Sequence, residues 1–145
     1  MMNETAVFFH GSAHPAFADA AMLRKTVFVE EQGFGVDLDE RDFIAWHLVL
    51  YDRVGPIAVA RAFLSGQPGQ AVIGRVAVRK AARGTGAGAR LMLEMERELR
   101  ALGIERVELG AQQAAVGFYD KLGYRPFGTP YLDEHCPHRH MEKKL

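Results

Sequence analysis

The pattern of apolar and polar positions changes about halfway along the chain. In the first half, short runs rich in β-branched and aromatic residues predict four strands, at residues 6–10, 43–52, 55–64 and 71–78. Apolar residues spaced three or four positions apart predict a helix within residues 14–33, which Gly33 and Gly35 end. Because the last three of these strands follow one another with no helix between them, we expect them to form an antiparallel meander.

Helical and strand patterns alternate in the second half. Leu91, Met95 and Leu99 form an apolar stripe on a predicted helix from Gly88 to Gly103. The remaining predicted elements are a strand at 106–110, a helix at 114–123, a strand at 124–132 and a last strand at 138–145. The lysines of the last segment are typical of an exposed sheet edge, so we expect an edge strand there. Strands followed by alternating strands and helices indicate a mixed α/β fold, with a single domain over residues 1–145.

A glycine-rich loop, RGTGAG, lies between the predicted strand that ends near Val78 and the helix that begins near Gly86. A helix N-terminus presents unpaired N–H groups and the positive end of the helix dipole. Glycines let a ligand approach the backbone closely, and Arg79 and Arg83 add positive charge. The loop is therefore predicted to bind phosphate.

Two other phosphate-binding motifs fit this loop poorly. A P-loop needs Lys-Ser or Lys-Thr after its last glycine, and neither pair follows here. Gly84, Gly86 and Ala89 match the spacing of a dinucleotide fingerprint, and Glu108 follows as the acidic residue. In that fold, however, the strand runs almost straight into the first glycine, whereas "RKAAR" intervenes here. A nucleotide-binding fragment that takes NAD is therefore the weaker alternative.

Charge and cysteine content narrow the expected partners. The formal net charge is zero, which gives no global attraction to nucleic acid or to a membrane surface. No run approaches the roughly 20 apolar residues of a membrane span, and no targeting segment is recognised, so a cytoplasmic location is expected. Cys136 is the single cysteine, and the histidines near it lack zinc-site spacing, so neither an internal disulfide nor a metal is expected. Acidic residues concentrate within 28–42, and basic residues around the glycines.

The glycines also belong to a wider pattern. Arg83, Gly86 and Gly88 fit the spacing [RQ]-x-x-G-x-[GA], and GAQQAAVGFYDKLGY fits N-x-x-A-x-x-F-Y-x-x-x-G-[FY] with Gln112 in place of Asn. Together these two motifs resemble the GCN5-related N-acetyltransferase (GNAT) superfamily over the C-terminal half of the chain. The segments LRKTVFVEEQG and YLDEHCPHRHMEKKL are similar to a small bacterial, ElaA-like branch of that superfamily.

The resemblance implies a GNAT fold, with a mixed, mostly antiparallel sheet of about six or seven strands, splayed in the middle and flanked by about four helices. It implies acetyl-CoA as co-substrate and no metal. The pantetheine arm would pair with the strand end formed by Val76, Ala77 and Val78. The remaining residues implied to bind the coenzyme are Arg83, Gly84, Thr85, Gly86, Ala87 and Gly88 at the pyrophosphate, with Gln112 and Phe118. Dimers are frequent among relatives, so a homodimer is among the expected assemblies.

The implied activity is transfer of an acetyl group to a primary amine of a small molecule or peptide. The amine must lose a proton before it attacks, and a thiolate leaves more easily when it is protonated. Tyr119 matches the family's general acid. The strand before the glycines holds no carboxylate, so we expect the base elsewhere. Glu31 is the first candidate, and the others are His47, Glu134 and His138.

The acidic segment within residues 28–42 would favour a cationic acceptor if it lines the cleft. The absence of a carboxylate on the strand, together with Gln112 in place of Asn, leaves a second class of function open. That alternative is an inactive acyl-CoA-binding module that acts as a sensor or interaction domain. The presence of Tyr119 favours the enzyme.

Overall fold

The computed structural model describes residues 4–145, and its elements follow the order that the sequence predicts. The strands are β1 (Thr5–His10), β2 (Trp46–Tyr51), β3 (Pro56–Leu64), β4 (Gln70–Val78), β5 (Arg106–Gln112), β6 (Arg125–Asp133) and β7 (Cys136–Lys144). The α-helices are α1 (Ala16–Arg24), α2 (Ala87–Ala101) and α3 (Val116–Lys121). Short 3₁₀ segments lie at Glu40–Phe43, Lys80–Ala82 and Gln113–Ala115. The mixed α/β class is confirmed.

All seven strands belong to one sheet, in the order β1-β2-β3-β4-β5-β7-β6. Every neighbouring pair is antiparallel except β4 and β5, which run parallel. A parallel pair needs a crossover connection, and α2 provides it. The expected mostly antiparallel sheet, with β2, β3 and β4 as a meander, is therefore confirmed.

The C-terminal strand lies inside the sheet, so the expectation of an edge strand at 138–145 is wrong. β7 pairs with β5 over seven positions, from Arg106↔Lys144 to Gln112↔His138, and with β6 on its other side. The edge strand at this end of the sheet is β6, which contains Pro126 and Pro130. Proline lacks an N–H to donate to a neighbouring strand, which makes β6 suitable for the edge and leaves β7 to pair on both sides.

The helices number three among the described residues, one fewer than expected. The helix predicted within 14–33 divides into α1 and a π-helical continuation, Lys25–Glu31, in which the N–H of Gln32 bonds to the carbonyl of Val27 at 3.1 Å. Within residues 4–145, no helix is both long enough and apolar enough to cross a membrane.

The helices bury the two faces of the sheet separately. On one face, the fully buried side chains of α2 pack on an alanine-rich surface of β3; they are Leu91, Met92, Met95 and Leu99. Alanines leave room for a helix to approach, and each buried Leu or Met contributes about 1.5–3 kcal/mol. On the opposite face, α1 packs through Ala20 and Leu23. Both faces of the central strands are thereby shielded from water.

The centre of the sheet opens into a V. β4 and β5 pair only from Gln70↔Arg106 to Ile73↔Leu109. Beyond that point β4 changes register against β3, and Arg75 has a positive φ of 51°. This bulge turns β4 away from β5, so the last residues of both strands border a cleft. The expected splay is confirmed.

Candidate active site

The cleft is part of a continuous cavity of about 940 Å³. One wall, the loop side, consists of the end of β4 from Val76, the glycine loop, the start of α2 and α3. The other wall, the hairpin side, consists of segment 28–41 together with the turn and inner ends of β6 and β7. The two sides differ in how they are built.

The glycine loop ends in a helix start that carries no side-chain cap. Gly84 and Gly86 have φ of +78° and +84°, a region that side-chain-bearing residues rarely adopt, and Gly86 is the N-cap residue of α2. Among residues 4–145, no side chain bonds to the first N–H groups of α2, and no acidic residue lies in its first turn. The free N–H groups and the helix dipole therefore offer an anion site at the cavity wall.

Most of the basic residues around the glycines are neutralised by carboxylates from other parts of the chain. Arg79 pairs with Asp52 at 3.3 Å, and Arg90 pairs with Glu4 at 2.6 Å. Arg83 stays beside the loop, where it bonds to the carbonyl of Val78 at 3.0 Å and to Glu31 at 2.7 Å. The positive potential of the loop therefore comes mainly from its backbone.

The end of β4 shows the alternation of a strand. Val76 and Val78 line the cavity, whereas the side chain of Ala77 packs on the α1 face and is 2% exposed. In the described part of the chain, β4 has no strand partner on its β5 side beyond Ile73. Its main-chain groups there can pair with an extended ligand.

Tyr119 lies in the loop-side wall with its ring buried. The ring packs against Phe118 and Tyr124, with centroids 5.0 and 5.7 Å away. Tyr119 lines the cavity, and its hydroxyl has no hydrogen-bond partner among residues 4–145. Burial raises its pKa above the ordinary value for tyrosine. The phenol therefore remains protonated at neutral pH and is available to donate.

Two other predicted residues, Phe118 and Gln112, make contacts that support the cavity walls. The ring of Phe118 lies so close to Gly88 that a Cβ there would be 3.1 Å from its Cζ, so this site favours glycine. Gln112, at the end of β5, donates from Nε2 to Oε1 of Gln32 at 2.8 Å and joins the hairpin side to the sheet. Of the other predicted residues, Gly84, Gly86 and Ala87 line the cavity.

The hairpin side is supported by a buried ion-pair network that sequence reasoning missed. Arg24 and Arg61 both contact Asp42, at 2.7 and 2.9 Å. Arg61 also binds Asp39 at 2.6 Å, and Arg75 binds Asp37 at 3.1 Å. Arginines bind four of the six carboxylates of the acidic segment, these three and Glu31, so little of its negative charge is left unpaired at the cavity.

Asp42 is the centre of this network. Burial by itself would raise its pKa, but hydrogen bonds from Arg24, from the backbone N–H of Asp39 and from Arg61 outweigh that effect and hold its pKa at about 2. Local sequence patterns could not predict these ion pairs, because Arg24 and Arg61 are each 18 or more positions from Asp42.

The four candidate bases occupy different places. Glu31 is bound to Arg83 on the loop side. His47 is buried beneath α1, where Nε2–H donates to the Asp42 carbonyl at 3.0 Å and desolvation lowers its pKa. Glu134 lines the cavity as an exposed residue and accepts from the N–H of Gly35 at 2.9 Å. His138 lines the cavity and is 7% exposed.

These features define a class of protein. A sheet that splays at a parallel strand pair, beside a glycine-capped helix, has the architecture of acyltransferases that use acyl-CoA. Within residues 4–145, no group of three or more His, Cys, Asp or Glu side chains is arranged to hold a metal ion.

Comparison with known proteins identifies the family. Residues 41–145 match the model of the acetyltransferase (GNAT) domain, and the chain belongs to this family as an acyl-CoA N-acyltransferase. It is similar to an uncharacterized N-acetyltransferase of Bacillus subtilis, YjcF, at 34% identity over 86% of this chain and 90% of that one. Its fold is similar to crystal structures of Escherichia coli ElaA (29% identity, TM-score 0.84) and of a Pseudomonas aeruginosa acyl-CoA N-acyltransferase (28%, TM-score 0.85), each covering 99% of both chains.

Proposed function

We propose that the protein transfers an acetyl group from acetyl-CoA directly to a primary amine of a small molecule or peptide. The observation that carries this proposal is the continuity of the cavity. It joins an uncapped helix N-terminus, an unpaired strand edge and the hydroxyl-bearing wall at Tyr119. These are the three elements needed to hold the pyrophosphate, the pantetheine arm and the sulfur of one extended thioester.

Binding of the coenzyme is assigned to the loop side. Backbone N–H groups from Gly84 to Gly88 bind the pyrophosphate, with Arg83 as the adjacent cation. Val76 and Val78 flank the pantetheine arm, which pairs with the main chain of β4 as an added strand. Ala77 contributes only its backbone, because its side chain faces α1. An N–H of the same strand end holds the carbonyl oxygen as negative charge develops on it.

The chemical step is a direct attack. The neutral amine forms a C–N bond to the thioester carbonyl carbon, and the C–S bond breaks with its electron pair moving to sulfur. Tyr119 donates its hydroxyl proton to the departing thiolate and recovers a proton from the nitrogen of the tetrahedral adduct. The phenol is protonated at neutral pH and so can donate as the thiolate forms, although burial, which raises its pKa, makes it a weaker acid than an exposed tyrosine.

The test is release of coenzyme A thiol from acetyl-CoA with three amines as probes: 2-phenylethylamine, putrescine and a tripeptide with a free N-terminus. Tyr119→Phe is expected to lower kcat by about 10²–10⁴-fold, with little change in coenzyme A affinity measured by calorimetry. Tyr51→Phe is the matched control, since Tyr51 bonds to Asp19 and lies outside the cavity wall. Coenzyme A binding without thiol release from any amine would favour the acyl-CoA-binding module, and absence of binding would overturn both functions.

A further inference from the structure

The mechanism above leaves open which group removes the proton from the incoming ammonium. A base for this step needs a lone pair that faces the cavity and is not already engaged by another group. The structure shows what each candidate's proton-accepting atom contacts, which the sequence alone does not.

One contact defines the tautomer of the neutral His138 ring. Its Nδ1 lies 2.9 Å from the carbonyl oxygen of Cys136. A carbonyl can only accept, so Nδ1 of the neutral ring carries the hydrogen, and Nε2 holds the lone pair. Among residues 4–145, Nε2 has no hydrogen-bond partner and is not enclosed as a buried orphan atom.

The surroundings of His138 keep its ring in place at the cavity. It pairs in register with Gln112 on β5 and with Tyr131 on β6, whose ring centroid is 5.5 Å away. Tyr131 is in turn stacked on His140 at 4.3 Å. At Gly110, a Cβ would overlap the Tyr131 hydroxyl, so glycine at this position of β5 makes room for the aromatic row.

The other candidates are less suited to this step. The carboxylate of Glu31 is bound to Arg83, and the ring of His47 is packed between Phe9 and Phe17 beneath α1. Glu134 is exposed to water, and its Oε1 already accepts from the N–H of Gly35 at 2.9 Å.

We infer that His138 is the general base of the reaction, with Nε2 accepting a proton from the acceptor ammonium before attack. The inference rests on the proposed acetyl transfer. The ammonium N–H bond breaks, the proton moves to Nε2 and later to solvent, and the neutral amine attacks the thioester. The second amine proton returns to Tyr119 as described above, so each turnover releases one proton, one acetylated amine and one coenzyme A thiol.

The charged and titratable groups that face this site are known from the lining of the cavity. Tyr131 and Asp133 come from β6, and Glu134 comes from the β6–β7 turn. The others, from the elements across the cavity, are Asp37, Arg41, Arg61, Arg75, Arg83 and Tyr119. His140 contributes through its stacking on Tyr131.

The decisive experiment compares His138→Gln with His10→Gln for two acceptors, 2-phenylethylamine and hydroxylamine. The first is an ammonium ion at neutral pH, whereas hydroxylamine is largely neutral there and needs no base to become nucleophilic. His138→Gln should lower kcat/KM for 2-phenylethylamine by about 10²-fold or more at pH 7 and leave KM for acetyl-CoA unchanged. The deficit should narrow as the pH approaches about 10, where alkyl ammonium ions lose their proton unaided. Hydroxylamine turnover should be nearly unaffected, and His10→Gln should behave like the wild type, since His10 is an exposed residue of β1 outside the cavity wall.

Two results would overturn the inference. One is an equal loss for both acceptors at every pH, which would make His138 a structural residue. The other is an Nε2–H tautomer, observed by long-range ¹H–¹⁵N correlation of the imidazole with His138→Gln used for assignment. This second measurement needs no turnover, so it decides the role of His138 even if the wild type acetylates neither probe, a result that would count against the proposed function instead.

Discussion

The loop side and the hairpin side present different kinds of chemical group to the cavity. On the loop side, the groups proposed to bind the coenzyme are mostly main chain: left-handed glycines, N–H groups at the start of α2 and an edge of β4 that is unpaired among residues 4–145. On the hairpin side they are side chains from distant parts of the chain, held by Arg24, Arg61 and Asp42 in a buried network.

This difference follows from what each side is proposed to recognise. A coenzyme offers phosphates and an extended amide-containing arm, which backbone groups bind without specific side chains. An acceptor amine offers little beyond one nitrogen and its own substituents, so its recognition depends on particular side chains. The loop side is therefore expected to tolerate side-chain changes and to be sensitive to backbone changes, and the hairpin side the reverse.

The largest expected effect is on the hairpin side, at Asp42. Asp42→Ala leaves Arg24 and Arg61 without their shared carboxylate in a buried site, which should lower the free energy of unfolding by about 3–5 kcal/mol. The measurement is the urea midpoint of the purified protein. Asp52→Asn is the matched control, because it removes a carboxylate from an arginine pair at the surface and should change the midpoint little.

The pH dependence of the free energy of unfolding is a second test of the stabilising role of Asp42. The pKa of Asp42 is about 2 in the folded protein against 3.8 as the ordinary value, so the carboxylate stabilises the fold above pH 3.8. This contribution, about 2 kcal/mol, is lost as the pH falls from 3.8 towards 2. Asp42→Ala should flatten the stability curve in that window, and an unchanged acid slope would contradict the central place given to Asp42.

The same contrast explains what could be predicted from the sequence. Glycine spacing, strand–helix order and the position of Tyr119 are local features, so the sequence could predict that this loop, the strand before it and Tyr119 lie together, although Thr85 and Ala77 do not line the cavity. The Arg24–Asp42–Arg61 contacts depend on how α1, β3 and segment 28–41 meet in space, which no local pattern encodes. The composition of the acidic segment suggested a preference for a cationic acceptor if it lines the cleft, but four of its six carboxylates bind arginines.

The position of β7 was wrongly predicted for a related reason. The lysines near the C-terminus suggested an edge, but Lys143 reaches back to bind Glu96 at 2.8 Å and the Leu122 carbonyl at 2.7 Å. A charged residue within an internal strand is stable there because a buried carboxylate on α2 receives it. The prolines of β6 were the better signal for the edge.

An intermediate effect is expected on the loop side, at Gly86. With φ at +84°, Gly86→Ala forces a left-handed alanine and should cost about 1–2 kcal/mol. Where this strain is relieved by a shift of the loop, coenzyme A affinity measured by calorimetry should weaken about tenfold.

Gly103→Ala separates backbone strain from ligand binding. Gly103 has φ of +89° just after α2, and a Cβ there would meet no atom within 4 Å. The variant should lose similar stability and keep wild-type coenzyme affinity. If both variants weaken coenzyme binding equally, the loop has no special part in it.

The smallest expected effect is at Glu31, where a role as the base and a role as the ion-pair partner of Arg83 predict different outcomes. If Glu31 is the base, as the sequence suggested, Glu31→Gln should lower kcat by at least about 10²-fold and change the pH profile. Its bond to Arg83 favours another outcome, because the two side chains are 30% and 42% exposed and their pairing is worth little. Removing the carboxylate frees the Arg83 guanidinium for the pyrophosphate, so KM for acetyl-CoA should fall by less than about fivefold, more at low salt than at high salt. Glu30→Gln, which removes the same charge one residue earlier, should leave that KM unchanged. A base-like loss at Glu31 would assign the proton transfer to segment 28–41 and take it away from His138.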